Sequence, residues 1–166
     1  MAGQAEEALA RRLVETYSDH LLRLAYSILN SQPDAQDICQ EVLLKRLAHP
    51  APFEGPEHER AWLVRVTVNA CRSLRRSPWR RRVVGLDTVA QQPVFQPKPG
   101  GLLEEVQRLP AKYREVLVLY YYMGYDTKEI AALLGVRPDT VRVRMSRARM
   151  KLRTELEGQG YDTLSG

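Results

Sequence analysis

The sequence predicts an all-α protein: two small helical domains joined by a flexible linker, the C-terminal one a helix-turn-helix. Three observations lead there. Apolar residues recur at helical spacing in nearly every periodic segment, and no stretch alternates as a strand would. A proline-rich stretch without periodicity, residues 77–100, interrupts that pattern. Near the C-terminus a capped helix, a glycine turn and a basic helix follow one another. With 166 residues the chain can form one medium domain or two small ones.

The first helix is expected over residues 4–30, broken or bent near Ser18-Asp19. Ser31-Gln32-Pro33 reads as a stop and restart, with Pro33 in the first turn of a helix that runs to about Ala48. The loop HPAPFEGPEHE follows, with three prolines and a glycine. The next helix is expected from Glu59 to Arg76, ending before Pro78 because a residue that precedes proline is pushed out of the helical region. Residues 77–100, with four prolines and two glycines, form the linker. Helices are then expected over Leu102–Leu109, Pro110–Met123 and Thr127–Leu134, and from Pro138 onward. The resulting division is an N-terminal domain 1–76, a linker 77–100, a C-terminal domain 101–157 and a frayed tail 158–166.

Charge is polarised along the chain. Lys and Arg number 25 against 20 Asp and Glu, and the excess is concentrated. Residues 72–82 hold six arginines and no acid, and residues 142–153 hold six basic residues and no acid. Residues 34–60 carry six acids against three basic residues. Such patches suit a polyanionic partner. No apolar run approaches the roughly 18 residues of a membrane span, and the start, MAGQAEEALARR, shows no secretory signal. Cys39 and Cys71 lie outside any C-x-x-C spacing and read as buried reduced thiols. His20, His49 and His58 form no metal-spaced cluster, and a P-loop is absent. The sequence therefore predicts no catalytic residue, no metal and no cofactor.

Asp126-Thr127-Lys128-Glu129 has capping-box spacing, and Gly135 suits the left-handed position that ends the helix it opens. In the helix after Pro138, Val141, Met145, Ala148, Leu152 and Leu156 share one face. Arg142, Val143, Ser146 and Arg147 lie opposite, where a recognition helix presents side chains to base edges. Arginine suits guanine because its fork donates two parallel hydrogen bonds. A solvated surface helix would normally interleave acids with bases, yet none occurs between Asp139 and Glu155.

Further upstream, DAQDICQEVLLKRL turns Ala35, Ile38, Cys39 and Val42 inward. Leu44 lies on the other side with Asp37, Gln40 and Glu41, a small apolar point in a polar ring of the kind proteins use to bind partners. A single exposed leucine would carry no such meaning by itself. In RAWLVRVTVNACRSLRR, Leu63, Val64, Thr67, Ala70, Cys71 and Leu74 face one way. Trp62, Arg65, Val66, Asn69, Arg72, Ser73 and Arg76 face the other, combining stacking, base-edge hydrogen bonding and phosphate neutralisation suited to single-stranded nucleic acid. Taken alone, Trp62 reads first as a packing residue against the neighbouring helix.

These segments, together with LPAKYREVLVLYYYMGYDTKEIAALLGVRPDTVRVRMSRARMKL, resemble the bacterial group-four (extracytoplasmic-function) sigma factors of RNA polymerase, of the sigma-70 family. The resemblance covers roughly residues 10–76 and 102–156 in the family's order. It implies a cytoplasmic initiation factor without bond chemistry, whose partners are core RNA polymerase (beta-prime clamp coiled coil and beta flap), promoter DNA and an anti-sigma factor. By position, Asp37, Gln40, Glu41 and Leu44 correspond to the clamp-binding helix. Phe53, with the helix through Trp62, Arg65, Asn69, Arg72 and Arg76, corresponds to the surface that captures the melted minus-ten strand. Thr140, Arg142, Val143, Ser146 and Arg147 correspond to minus-thirty-five recognition. The sequence departs from the family at Arg137, often a serine-like cap, at Leu43, often aromatic, and in its proline-rich capture loop. The rival reading is a helix-turn-helix repressor or activator that dimerises through its N-terminal domain and acts without polymerase.

Overall fold

The computed structural model describes residues 2–49, 52–77 and 102–158. It divides into two units, Met1–Pro93 and Val94–Gly166. Every regular element among the described residues is helical.

Unit 1 holds α1 (Ala2–Leu29), α2 (Gln32–Leu47) and α3 (Pro56–Arg76), each packed on the other two. The expected break at Ser18-Asp19 does not occur. Leu13, Tyr17, Leu21, Leu24 and Ile28 are all buried and carry one apolar stripe straight through it. Asp19 points to solvent and pairs with Arg23 one turn later at 3.3 Å, and the Ser18 carbonyl accepts the Cys39 thiol at 3.6 Å. Asn30, at φ 54°, ends α1 in the left-handed conformation. Ser31 then caps α2, accepting the Asp34 N–H at 3.4 Å, with Pro33 in the first turn.

Helix α3 starts at Pro56, three residues before the expected Glu59, because proline lacks only an N–H that the first turn leaves unused. Its buried arc is wider than the sequence stripe. Val68 is fully buried beside Leu63, Val64, Thr67 and Cys71, while Ala70 and Leu74 are half-buried. The Thr67 hydroxyl donates to the Leu63 carbonyl at 2.7 Å, so its burial leaves no donor unmet. Both cysteines are buried thiols, and burial pushes the Cys39 thiol pKa up.

Unit 2 holds α4 (Leu102–Arg108), α5 (Ala111–Leu117), α6 (Thr127–Leu134) and α7 (Pro138–Gly158). The helix expected over Pro110–Met123 changes character midway: Val118–Tyr122 is π-helical, with the Met123 N–H reaching Val118 at 2.9 Å and the Tyr125 N–H reaching Leu119 at 3.0 Å. This wider turn leaves Tyr120, Tyr121 and Tyr122 exposed and still buries Leu119 and Met123. The capping box on α6 is complete, with Asp126 Oδ1 accepting the Glu129 N–H at 2.8 Å and Glu129 Oε1 accepting the Asp126 N–H at 3.0 Å. Gly135 sits at φ 67°, where a Cβ would be strained. Among the described residues of this unit, the charged Glu105, Arg114 and Glu115 are buried. Arg114 donates to the Leu109 carbonyl at 2.6 Å across the turn between α4 and α5. Helix α7 runs to Gly158, into the start of the expected tail. Residues 159–166 and the linker beyond Ser77 lie outside the described residues.

Candidate nucleic-acid and protein interfaces

On α7 the inward stripe is buried at Val141, Met145, Ala148 and Leu156, with Leu152 half-buried. Arg142, Val143, Ser146 and Arg147 all face solvent, and Thr140 is half-buried. Val143 is an apolar side chain left 48% exposed. Arg142 forms an ion pair with Asp139 one turn earlier, so the acid that begins the helix also restrains this arginine. Arg149 is held separately: its Nε donates to the Tyr121 hydroxyl at 2.9 Å, and its guanidinium lies 5.7 Å from the Tyr121 ring and 5.9 Å from that of Tyr120. No sequence signal pointed to that contact, since it depends on the π-helical turn.

In unit 1 the residues expected to face a melted strand separate into two groups. Phe53 and Trp62 come together, ring centroids 5.7 Å apart. His49 stacks on Phe53 at 4.7 Å and meets Trp62 edge-on at 5.0 Å, while His58 meets Phe53 edge-on at 5.1 Å. His58 Nδ1 also accepts the Glu54 N–H at 3.1 Å, which ties the loop to α3. Trp62 is thus half-buried in an aromatic cluster with loop residues and is not simply a helix-packing residue. Arg65, Asn69 and Arg76 are exposed, and Arg72 is half-buried.

Behind the cluster lies a group that sequence reasoning missed. The Glu59 carboxylate, 4% exposed, accepts from Arg12 on both oxygens at 2.9 Å, from the Tyr17 hydroxyl at 2.8 Å and from Arg46 Nε at 2.8 Å. Arg46 Nη2 lies 2.7 Å from the same oxygen as its Nε. One carboxylate therefore joins α1, α2 and α3. Hydrogen bonding from Arg12, reinforced by Arg46 and Tyr17, outweighs burial and lowers the Glu59 pKa to about 2. Burial and the Glu59 hydrogen bond raise the Tyr17 pKa, and Glu59 raises that of Arg12. A glutamate in the first turn of a helix reads from sequence as a dipole partner; its burial depends on arginines distant in the chain.

Leu44 is 59% exposed on α2, and Asp37, Gln40 and Glu41 around it are exposed as well. Glu41 pairs with Lys45 at 3.3 Å. Glu41 and Lys45 also border a shallow groove between α2 and α3 whose other wall includes Val66, Asn69 and Ser73. Asn69, grouped by sequence with Trp62, thus shares a groove with the acidic side of α2. No cluster of three metal-binding side chains occurs among the described residues, and no described helix is long and apolar enough to cross a membrane.

A capped helix-turn-helix whose outer face is basic, in one chain with a helical unit bearing an aromatic loop, defines a two-unit DNA-binding transcription protein. Residues 13–81 match the family described as Sigma-70 region 2, and residues 101–152 match Sigma-70 region 4. The ECF RNA polymerase sigma factor SigL of Mycobacterium tuberculosis is 32% identical over 169 residues, covering 96% of this chain and 95% of its own. The ECF sigma factor SigE of Mycolicibacterium smegmatis is 30% identical; the match covers 91% of this chain but 63% of that longer protein. Among solved structures, the sigma factor RpoE from Bartonella quintana, in complex with the anti-sigma factor NepR, superposes with a TM-score of 0.69 at 26% identity, covering 89% of this chain and 96% of that one. The chain belongs to the extracytoplasmic-function group of the sigma-70 family, the transcription initiation factors that bind RNA polymerase.

Proposed function

We propose that the two units divide promoter recognition between them. The C-terminal unit, about residues 101–157, holds minus-thirty-five duplex through Thr140, Arg142, Val143, Ser146 and Arg147 of α7. The N-terminal unit, about residues 1–76, docks on core polymerase through Leu44 and its polar ring of Asp37, Gln40 and Glu41. It then captures the melted minus-ten strand with Phe53, Trp62, Arg65, Asn69, Arg72 and Arg76. What supports this most is solvent exposure in the right places: Arg142, Val143, Ser146 and Arg147 on α7, and Arg65, Asn69 and Arg76 on α3, all face outward from helices whose opposite faces are buried. Residues 77–100 serve as the linker between the two activities. The protein acts in the cytoplasm and performs no bond chemistry; polymerase supplies the catalytic centre. The anti-sigma factor in the RpoE complex supports an anti-sigma partner for this chain.

Physically, arginines on both units neutralise phosphates in a salt-dependent and largely sequence-independent way. Base-edge contacts from α7 add specificity. Unstacking a base costs a few kcal/mol, which stacking on the aromatic loop and hydrogen bonding to Asn69 offset. Run-off transcription with core polymerase on a randomised promoter library tests the whole reading, since a polymerase-independent repressor would enrich no promoter. On an enriched promoter, Asn69→Ala should leave closed-complex binding nearly intact and reduce open-complex formation, with partial recovery on a pre-melted template. Unchanged permanganate reactivity in the variant would remove Asn69 from the strand-capture site.

A further inference from the structure

We infer that Glu59 and Arg46 are positioning residues for strand capture: the Glu59 carboxylate orients the Arg46 guanidinium as a shelf beneath the Phe53 ring. The inference rests on the reading of Phe53 as a strand-contacting side chain and adds what holds that ring in place.

Phe53 lies among residues 52–55, outside any regular element, where no backbone ladder fixes its position. Its ring is half-buried, so side-chain contacts must determine where it sits. Three of these are rings, His49, His58 and Trp62. The fourth is a cation, with the Arg46 guanidinium carbon 4.6 Å from the Phe53 centroid. A guanidinium donates hydrogen bonds in its plane and stacks through its face, and Arg46 uses both. Its Nε and Nη2 edge is occupied by one Glu59 oxygen, and its face is left for Phe53.

The carboxylate cannot turn away, because Arg12 and Tyr17 of α1 hold it from the other side. Arg46 is itself well buried, its side chain 12% exposed. Buried ion pairs contribute little to net stability compared with apolar packing, and their best-attested use is to impose one geometry. Here the geometry imposed is that of a loop ring 6 residues from Glu59 in the chain, set by contacts reaching back to Arg12. The chain of contact runs from α1 through Glu59 and Arg46 to Phe53. The two arginines against one carboxylate also leave net positive charge beneath a surface that would meet a phosphate backbone.

The test uses the full chain with core polymerase on a promoter enriched from the random library. Arg46→Lys keeps a cation beside Glu59 but removes the planar face. It should lower the rate of open-complex formation about threefold to thirtyfold, with closed-complex binding retained. Phe53→Ala should lower the rate at least as much, and the double variant should lose no more than Phe53→Ala alone, because both changes remove one contact. In a Trp79→Phe background, which leaves Trp62 as the sole tryptophan, Arg46→Lys should make Trp62 more open to acrylamide quenching in the free protein.

Pentafluorophenylalanine at position 53 provides an arm independent of the ion pair. It reverses the electrostatics of the ring face, should raise quenching in the Arg46 protein, and should have little such effect in Arg46→Met, which removes the cation altogether. This arm stands even if Arg46→Lys folds poorly, since the fluorinated and natural rings are then compared in the wild-type background. If Phe53→Ala slows opening while Arg46→Lys opens at the wild-type rate, or if the single losses multiply in the double variant, the positioning inference is overturned and the Phe53 reading survives. If Phe53→Ala itself opens normally, Phe53 is not a strand contact; the quenching data then report only whether Arg46 orders the ring.

Discussion

Two surfaces of this molecule are aimed in different ways. On α7, Ser146 and Arg147 are set by signals confined to a short stretch of chain: the Asp126–Glu129 box starts α6, Gly135 turns left-handed, and Pro138 opens α7. In unit 1 the Phe53 ring is set by Arg46, which is set by Glu59, which is held by Arg12, 47 residues away from it in the chain. Caps and a glycine define a direction through backbone geometry alone. A buried carboxylate defines a position only after three helices have brought their donors together. A duplex-facing helix can be built locally, whereas a loop that must hold aromatic rings in place borrows its order from the tertiary fold.

The largest expected effect separates a surface from the scaffold beneath it. Leu44→Arg puts a charge into the proposed polymerase contact, at a cost of several kcal/mol once desolvated. Because Leu44 points to solvent, thermal unfolding should be unchanged and so should duplex binding, while titration with core polymerase shows loss of binding. Wild-type affinity for polymerase would take α2 out of the interface, and the repressor reading would regain ground.

Next is the hub. Glu59→Ala leaves Arg46 nearly buried without its carboxylate and should destabilise unit 1 by roughly 3 kcal/mol, the half-exposed Arg12 arm adding little because water screens it. Hydrogen exchange should show protection lost across α1–α3 and retained in α6 and α7. Acid acts through the same group. The folded pKa of about 2 lies below the ordinary 4.5, so the stabilisation is complete above pH 4.5 and is lost as pH falls from there through 2. The change totals about 3 kcal/mol at most, and Glu59→Gln should flatten that part of an acid-unfolding curve. An unaltered acid slope in Glu59→Gln would show that other carboxylates govern it.

Arg147→Ala comes third. It should cost about 1–3 kcal/mol on cognate duplex and relax preference at one upstream base pair. Arg153→Ala, further along α7, should weaken all sequences evenly; equal losses on cognate and scrambled duplex for Arg147→Ala would reduce that residue to a phosphate contact. Smallest of all is Asp126→Ala, which removes a cap worth about 1 kcal/mol. It should lower the stability of unit 2 and reduce fraying protection at the start of α6, leaving unit 1 unmoved. A larger loss from Asp126→Ala than from Glu59→Ala would invert the comparison between local and distant control.

The helical class, the capped α6, the glycine turn and the inward stripes of α2 and α7 were legible in the sequence because each is written within one or two turns of chain. Leu44 could be placed on the outer side of α2 for the same reason, by its angle from Ile38 and Val42. Local reading failed where a polar residue's meaning depends on distant partners. Ser18-Asp19 looked like a break, yet the buried stripe from Leu13 to Ile28 carries α1 through it. Glu59 looked like the first residue of a helix, yet it lies inside one and organises three. The π-helical turn that presents Tyr120 and Tyr121 to Arg149 had no signature in residues that read as ordinary helix. Periodicity and caps are properties of neighbouring residues, so sequence by itself determines them; the depth at which a charge is buried, and which donors meet it there, follow from packing between helices and are decided only when the chain has folded.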